Sequence, residues 1–289
     1  MNNNNEEYLE IRHEGVDETE RRFRKEEYYG WRASEDHASE YHEACKKATE
    51  DNWVFQRFKS LRGYRNIIEH DAYSKGTKYF KVALNNDPGI VDRFEKFKIN
   101  DKIGDSYCSE YGFSNHPTRG KASMGLFSPT TIRYVKVMTD LEKRFGSLDG
   151  MRIVEIGGGY GGQCVILAQE YNFAEYTNID LFWPTKLSEK YVNALGVKNF
   201  KTCPIEKIKE ENYDLVISNY AFSECNYETQ DAYIDKILDN CKNGYITHNT
   251  GKDRQNRTAV ALQHYENFGV FDLDVCEKKH AIYTWGPLK

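Results

Sequence analysis

The segment Val154-Glu155-Ile156-Gly157-Gly158-Gly159-Tyr160-Gly161-Gly162-Gln163-Cys164 packs five of the chain's 21 glycines into six positions. Glycine loses more backbone freedom on folding than any other residue, so such a cluster needs a close approach or a left-handed backbone to account for it. Met151 to Ile156 before it reads as a strand, and Gln163 to Tyr171 after it reads as a helix. A strand, a glycine turn and a helix form the entrance of a nucleotide-binding βαβ unit, where a ligand lies against bare backbone. The turn alone leaves the nucleotide undecided, because Gly157, Gly159 and Gly162 also satisfy the dinucleotide pattern G-x-G-x-x-G.

Composition narrows the classes. With 289 residues, 29% charged and 39% hydrophobic, the chain suits one large globular domain or two smaller ones. No apolar run approaches the ~20 residues of a membrane span, and Met1-Asn2-Asn3-Asn4-Asn5-Glu6-Glu7 lacks the layout of a secretory signal. The expectation is a cytoplasmic protein without a membrane partner. A net charge of −5 gives no electrostatic support for a nucleic-acid partner. The seven cysteines are odd in number and lack CxxC spacing, so they read as small buried apolar residues rather than a zinc site or disulfides.

The first 50 residues carry eight Lys or Arg against fourteen Asp or Glu, and read as exposed helix with a disordered start. From Asp51 to Lys98, apolar residues recur at helical spacing, with Trp53, Phe55, Phe58, Leu61 and Tyr64 as the clearest set. Ile99 to Phe127, with its glycines and aromatics, reads as a long irregular loop, and its aromatics suggest an ordered lid. Ser128-Pro129 starts a helix that ends near Gly146, with Ile132, Val135, Met138, Thr139 and Leu141 as its inner stripe.

Beyond Gly150, strands and helices alternate. Strands are expected at 152–156, 175–180, 197–203, 213–218 and 244–248, with helices at 162–171, 185–195, 228–241 and 253–268. Val270 to Cys276 and Ala281 to Trp285 form a closing hairpin, whose last strand runs antiparallel to its neighbour. The fold class is therefore α/β: a seven-stranded Rossmann-like sheet, mostly parallel, behind a mainly helical N-terminal region. The division is residues 1–149, with the substrate lid, and residues 150–289, the nucleotide-binding domain.

This layout resembles class I S-adenosylmethionine-dependent methyltransferases. Their first motif, an acid followed by G-x-G-x-G, is matched by Glu155, Gly157, Gly159 and Gly161, and the acid ending their second strand by Asp180. More narrowly, residues 90–250 resemble the sugar O-methyltransferase group. That likeness is carried by Ser128-Pro129-Thr130-Thr131-Ile132-Arg133-Tyr134, by the glycine segment through Gln163, and by Ser218-Asn219-Tyr220-Ala221-Phe222-Ser223-Glu224. The resemblance implies S-adenosylmethionine as cofactor. It places Glu155, Gly157, Gly158, Gly159, Tyr160, Gly161, Gln163, Asp180, Leu181, Ile205, Glu206, Ser218 and Asn219 around it. Tyr160 is expected to face the site, because the loop has little core to face. Where many relatives carry an Asp after strand three, this chain has Thr202-Cys203-Pro204-Ile205-Glu206, so Ile205 and Glu206 stand in for it.

The implied reaction moves a methyl group to a hydroxyl of a sugar or nucleotide sugar. A protonated hydroxyl is a poor nucleophile, so a general base is expected. The titratable residues ending strands four and five are Glu224 and His248, with Glu224 preferred. Arg133, Tyr134, Tyr220 and His116 are expected on the substrate side. No Asp-Asp pair follows strands four and five, so no metal is expected. A homodimer is left open. The alternatives are an NAD-dependent oxidoreductase, a methyltransferase of another small molecule, and a non-catalytic binder. Against the oxidoreductase stand Glu155, the closing hairpin and the long N-terminal region. Ser218-Asn219-Tyr220-Ala221 is not the Asn/Asp-Pro-Pro-Tyr of nucleic-acid amino-methyltransferases.

Overall fold

The computed structural model describes residues 35–116, 120–249, 257–272 and 280–287. Most of the acidic N-terminal segment and the turn of the expected closing hairpin thus lie outside the described residues. The chain divides into two compact units, residues 1–140 and 141–289.

The first unit is mainly helical. Helix α1 (Glu35–Glu50) is more than a solvated charged face, because Tyr41, Ala44, Cys45 and Ala48 recur at helical spacing and are buried. The one-turn helix α2 (Asn52–Phe55) starts at Asp51, whose Oδ1 accepts from the N–H groups of Trp53 and Val54 at 2.7 and 3.1 Å. Phe55, Phe58 and Tyr64 are buried as the spacing predicts, but Trp53 is 64% exposed. The helix is too short to carry a continuous stripe, so Phe55 takes the inner side and Trp53 the outer. Helix α3 (Tyr73–Asn86) follows, with its apolar face inward.

Residues 109–116 and 120–127 are not irregular loop. Strands β1 (Ser109–His116) and β2 (Gly120–Phe127) pair antiparallel. Register shifts at Tyr111/Gly112 and Phe113/His116 break the two-residue alternation that would have marked them in the sequence. Helix α4 (Pro129–Phe145) then starts as expected, with Ser128 Oγ accepting from Thr131 N–H at 3.0 Å. Ile132, Val135, Met138, Thr139 and Leu141 are all buried.

Unit one also buries charge. Asp71, on the way into α3, receives Arg133 Nη1 at 3.2 Å and Lys75 Nζ at 3.0 Å. Burial alone would raise its carboxyl pKa, but Arg133 and then Lys75 outweigh that and hold it at about 2. Arg133 is thus committed to Asp71, with its guanidinium 5.4 Å from the ring of the buried Tyr134. These contacts give both residues packing roles within unit one.

The second unit is a seven-stranded sheet in the order β5-β4-β3-β6-β7-β9-β8. Its strands are β3 (Arg152–Ile156), β4 (Glu175–Asp180), β5 (Phe200–Pro204), β6 (Tyr213–Asn219), β7 (Cys241–Asn249), β8 (Gly269–Asp272) and β9 (His280–Trp285). The first five run parallel, and β9 lies antiparallel between β7 and β8. Helices α5 (Gly162–Leu167), α6 (Phe182–Ala194), α7 (Ala221–Glu224), α8 (Tyr227–Lys236) and α9 (Arg257–Leu262) fill the connections. Strand three begins at Phe200 rather than 197, the helix after β3 stops at Leu167 rather than 171, and the helix after β4 begins three residues earlier than expected. Val154, Ile156, Val216, Ile246 and Tyr283 come together in the main core cluster. The indole of Trp285 lies over Gly244, where a Cβ would meet it at 2.1 Å, and stacks on Tyr265 at 4.8 Å. Arg144, in the last turn of α4, donates to the carbonyls of Gly286 and Pro287 and anchors the end of β9.

Replacing Asp71 with Ala should leave two poorly solvated cations and lower unfolding free energy by about 3–5 kcal/mol in urea titrations. Because the folded carboxyl is more acidic than the unfolded one, its contribution is full at neutral pH and is lost as the pH falls from about 4 toward 2. The variant should lack that component of acid destabilisation.

Candidate functional site

The candidate site lies where the strand order reverses. From β3, the sheet grows through β4 to β5 on one side and through β6 on the other, so the carboxyl ends of β3 and β6 open a crevice. The glycine loop joins the carboxyl end of β3 to α5 at that switch point. Gly157, Gly159 and Gly161 have φ of 71°, 55° and 83°, which only glycine adopts freely.

The close approaches that exclude side chains come from the protein itself. A Cβ on Gly157 would meet Ala221 Cβ at 2.1 Å, and one on Gly158 would meet Asn178 Oδ1 and Glu155 Oε2 at 2.5 Å. One on Gly161 would meet Val192 Cγ2 at 2.6 Å. Strand β4 then takes three successive loop N–H groups. Gly157 donates to the Ile179 carbonyl at 2.7 Å, Gly158 to Asn178 Oδ1 at 3.0 Å, and Gly159 to Asp180 Oδ2 at 2.9 Å. Gly161 N–H bonds back to the Gly158 carbonyl. Asn178 completes the tie by donating to the Gly159 carbonyl and to Ser188 Oγ.

Two carboxylates stand at this loop. Glu155 is 1% exposed, with Oε2 accepting from Tyr176 OH at 2.7 Å and Oε1 from Asn219 Nδ2 at 3.3 Å. Asp180 sits at the rim, partly exposed, and its Oδ1 accepts from Leu181 N–H at 2.7 Å. Burial of its carboxyl pushes the pKa up to about 6, while the N–H groups of Leu181 and Gly159 pull it back. Each carboxylate oxygen has two lone pairs, and each here has one occupied by a backbone N–H, so one remains on each for a ligand.

The other expected residues divide between rim and core. Leu181 is 42% exposed beside Asp180, and Pro204 pairs with Asp180, which brings Ile205 and the exposed Glu206 to the same edge. Asn219 ends β6, and Tyr220 follows it as the residue before α7. Ser218 is buried, its Oγ donating to the Ile156 carbonyl and accepting from Phe222 N–H, so it joins the ends of β6 and β3. Gln163 is fully buried in α5. Tyr160 departs from expectation. Its ring is fully buried, 4.9 Å edge-on from Tyr191 of α6, and belongs to the core although its backbone lies in the loop. Glu224 is exposed at the end of α7, whereas His248 is fully buried with its ring 5.3 Å from that of Tyr283. His116 ends β1 in unit one, where its backbone pairs with Gly120, and its side chain lies outside the described residues.

Sequence reasoning missed two features. Tyr220 has φ 74° and ψ −33°, a strained conformation for a bulky residue. Its hydroxyl lies 3.2 Å from Nδ1 of His280, which pairs with Asn249 at the same sheet edge because β9 runs antiparallel. No local pattern could reveal a contact that depends on strand direction sixty residues away. Among the described residues, no group of three or more His, Cys, Asp or Glu is placed to hold a metal ion. Nor is any helix there long and apolar enough to cross a membrane.

No family model and no curated protein matches the chain. Among solved structures, it is similar to a Pyrococcus horikoshii protein named as an RNA methyltransferase. The two share 15% identity at a TM-score of 0.42, over 55% of this chain and 83% of that one. It is also similar to a Methanococcus maripaludis protein named as an S-adenosyl-L-methionine-dependent methyltransferase, with 16% identity and a TM-score of 0.40 over 53% and 84% of the chains. A third is the methyltransferase domain of bacterial CtHen1, with 9% identity and a TM-score of 0.42 over 54% and 97%.

Gly157→Ala should destabilise the protein by about 2–4 kcal/mol, from the left-handed backbone and the collision with Ala221 together. Adding Ala221→Gly should recover only the collision. A double-mutant cycle in urea should therefore show coupling with a residual cost of about 1 kcal/mol. A neutral Gly157→Ala would mean that the loop does not pack against Ala221.

Proposed function

We propose that the second unit binds S-adenosylmethionine at the β3–β6 crevice and transfers its methyl group to a hydroxyl of a sugar or nucleotide sugar. The observation that carries the donor reading is that four N–H groups of the glycine loop are already bonded while carboxylates stand beside it. A dinucleotide loop needs free N–H groups to hold pyrophosphate. Here the N–H groups of Gly157, Gly158, Gly159 and Gly161 are taken by β4 and by the loop itself. What the crevice presents instead is carboxylate: Asp180 at the rim, with Glu155 beneath. That acceptor set favours a cationic ligand with vicinal hydroxyls over a polyanion. The antiparallel β9 between β7 and β8 also departs from the dinucleotide order, in which the sixth strand continues the parallel series.

When bound, S-adenosylmethionine supplies a methyl group on a positively charged sulfur. Asp180 would accept both ribose hydroxyls through its two remaining lone pairs. Leu181, Ile205 and Glu206, at the same rim, would border the base. Glu155 acts indirectly, fixing Asn219 at the mouth of the crevice. On the acceptor side, Glu224 is the base we assign, because its exposed carboxylate can reach a hydroxyl and take its proton. His248, sealed against Tyr283, is less accessible to one. The acceptor class rests on the resemblance of three segments, Ser128–Tyr134, the glycine loop and Ser218–Glu224, to sugar O-methyltransferases.

Two measurements test this. Calorimetric affinity for S-adenosylmethionine should hold above pH 6 and weaken toward tenfold per unit below about 6, as Asp180 protonates. Asp180→Asn should bind more weakly with a flat profile, and a pH-independent wild type would place the ribose elsewhere. In assays with labelled donor and a panel of nucleotide sugars, Glu224→Gln should lower turnover by about 10²-fold or more with donor affinity unchanged. Normal turnover in that variant removes Glu224 as the base.

A further inference from the structure

The first unit holds an open cleft of about 540 Å³ lined by Gln56, Arg57, Asp101, Lys102, Asp105 and Ser106. That volume lies within the ~300–1,000 Å³ of small-molecule sites. Its walls are fixed by backbone. Gly104 N–H donates to the Gln56 carbonyl at 3.2 Å, and Lys59 N–H donates to the Gly104 carbonyl at 2.9 Å, so the turn at 104 is clamped to the end of α2. Gly104 and Asp105 have φ of 106° and 57°, two successive left-handed residues that aim the Asp105 region along the cleft. Asp101 is held in place, with Oδ2 accepting from Ser128 N–H at 3.0 Å and Oδ1 from Thr131 Oγ1 at 2.9 Å.

Two observations say what the cleft would take. Its charges balance, two cations (Arg57, Lys102) against two carboxylates (Asp101, Asp105). A polyanion would meet the carboxylates and a polycation would meet the basic pair, each at a repulsive cost. Arg57, which lines the cleft, holds its guanidinium 4.2 Å from the ring centre of Trp53, a residue 64% exposed. The ring face away from Arg57 is an apolar platform beside this polar side chain.

We propose that this cleft binds a neutral saccharide. Adjacent sugar hydroxyls both donate and accept. Asp105 and Asp101 can receive hydroxyl protons, while Arg57, Lys102 and Gln56 donate to hydroxyl oxygens. The C–H face of a pyranose packs on the indole of Trp53. The assignment comes from the cleft's own residues and goes beyond the methyl-transfer reading. A saccharide here would suit a sugar-modifying enzyme, but neither statement requires the other.

The test uses the full chain without methyl donor. Tryptophan fluorescence and saturation-transfer NMR would follow titrations with methyl glucoside, methyl galactoside, methyl mannoside and lactose. Parallel arms use inorganic phosphate, L-glutamine and UDP-glucose. At least one glycoside should saturate in the millimolar range or below. Trp53→Ala and Asp105→Asn, both exposed positions checked for folding by circular dichroism, should each weaken it by about tenfold or more. UDP-glucose binding to the cleft is read from its sensitivity to Trp53→Ala, since the acceptor site proposed in unit two can take the same compound, and that Trp53-dependent part should be no tighter than for methyl glucoside, because its diphosphate meets the carboxylates. The proposal is overturned if no glycoside saturates below about 50 mM, a binding free energy too weak for a built site. It is equally overturned if either variant binds as the wild type does, or if phosphate or L-glutamine, or UDP-glucose in a Trp53-dependent manner, saturates where the glycosides do not. A failed glycoside titration leaves donor binding to unit two untouched, and a failed donor titration leaves this cleft standing.

Discussion

Three successive residues of β4, Asn178, Ile179 and Asp180, take three successive N–H groups of the glycine loop, and the candidate site depends on those bonds. They fix the loop against its neighbouring strand before any ligand arrives. Asp180 is placed by the same bonds, because the oxygen that meets Gly159 N–H sets the direction of its carboxylate. On the other flank, Ser218 ties β6 to the end of β3, and Ala221 comes close enough to Gly157 to forbid a side chain there. The glycines therefore serve the junction of three strands first, and leave ligand recognition to the carboxylates around it.

That division of labour determines the electrostatics. A loop with four of its N–H groups already bonded attracts phosphate less than a free one, whereas Glu155 and Asp180 beside it attract positive charge. Burial keeps Asp180 close to titration, so its ionised form is bought at some cost and is best stabilised by a ligand that donates to both oxygens. Tyr220 stores backbone strain at the same edge, held by its N–H bond to the Thr247 carbonyl and by its hydroxyl contact with His280. Strain retained at the mouth of a crevice fits a residue whose position matters more than its comfort.

The second unit was readable in the sequence because buried parallel strands are short apolar runs between turn signals. Arg152–Ile156 and Glu175–Asp180 fall where the pattern predicts, and the antiparallel final strand follows from its closing hairpin. Helix ends were less legible, since the turn after Leu167 and the early start at Phe182 are set by packing rather than by caps. In the first unit, bulges erased the alternation of β1 and β2, and a one-turn helix turned Trp53 outward against its apparent period. Within the site, Asp180 and the loop carry a recognisable spacing. Asn178, which bonds the loop through its side chain, and His280, which reaches Tyr220 across the sheet, carry none. Their roles depend on register and strand direction, which local pattern does not encode. Tyr160 was misplaced for a related reason: the loop does have a core to face, supplied by Tyr191 of α6.

The most direct test is a pair of equilibrium titrations of the full chain in one buffer at pH 7.5, with S-adenosylmethionine and with NAD, followed by calorimetry. The account predicts saturable one-to-one binding of S-adenosylmethionine and none of NAD at the same concentrations. Saturable binding of NAD with no heat from S-adenosylmethionine would contradict it, and would show that the loop can release its N–H groups from β4 to hold a pyrophosphate.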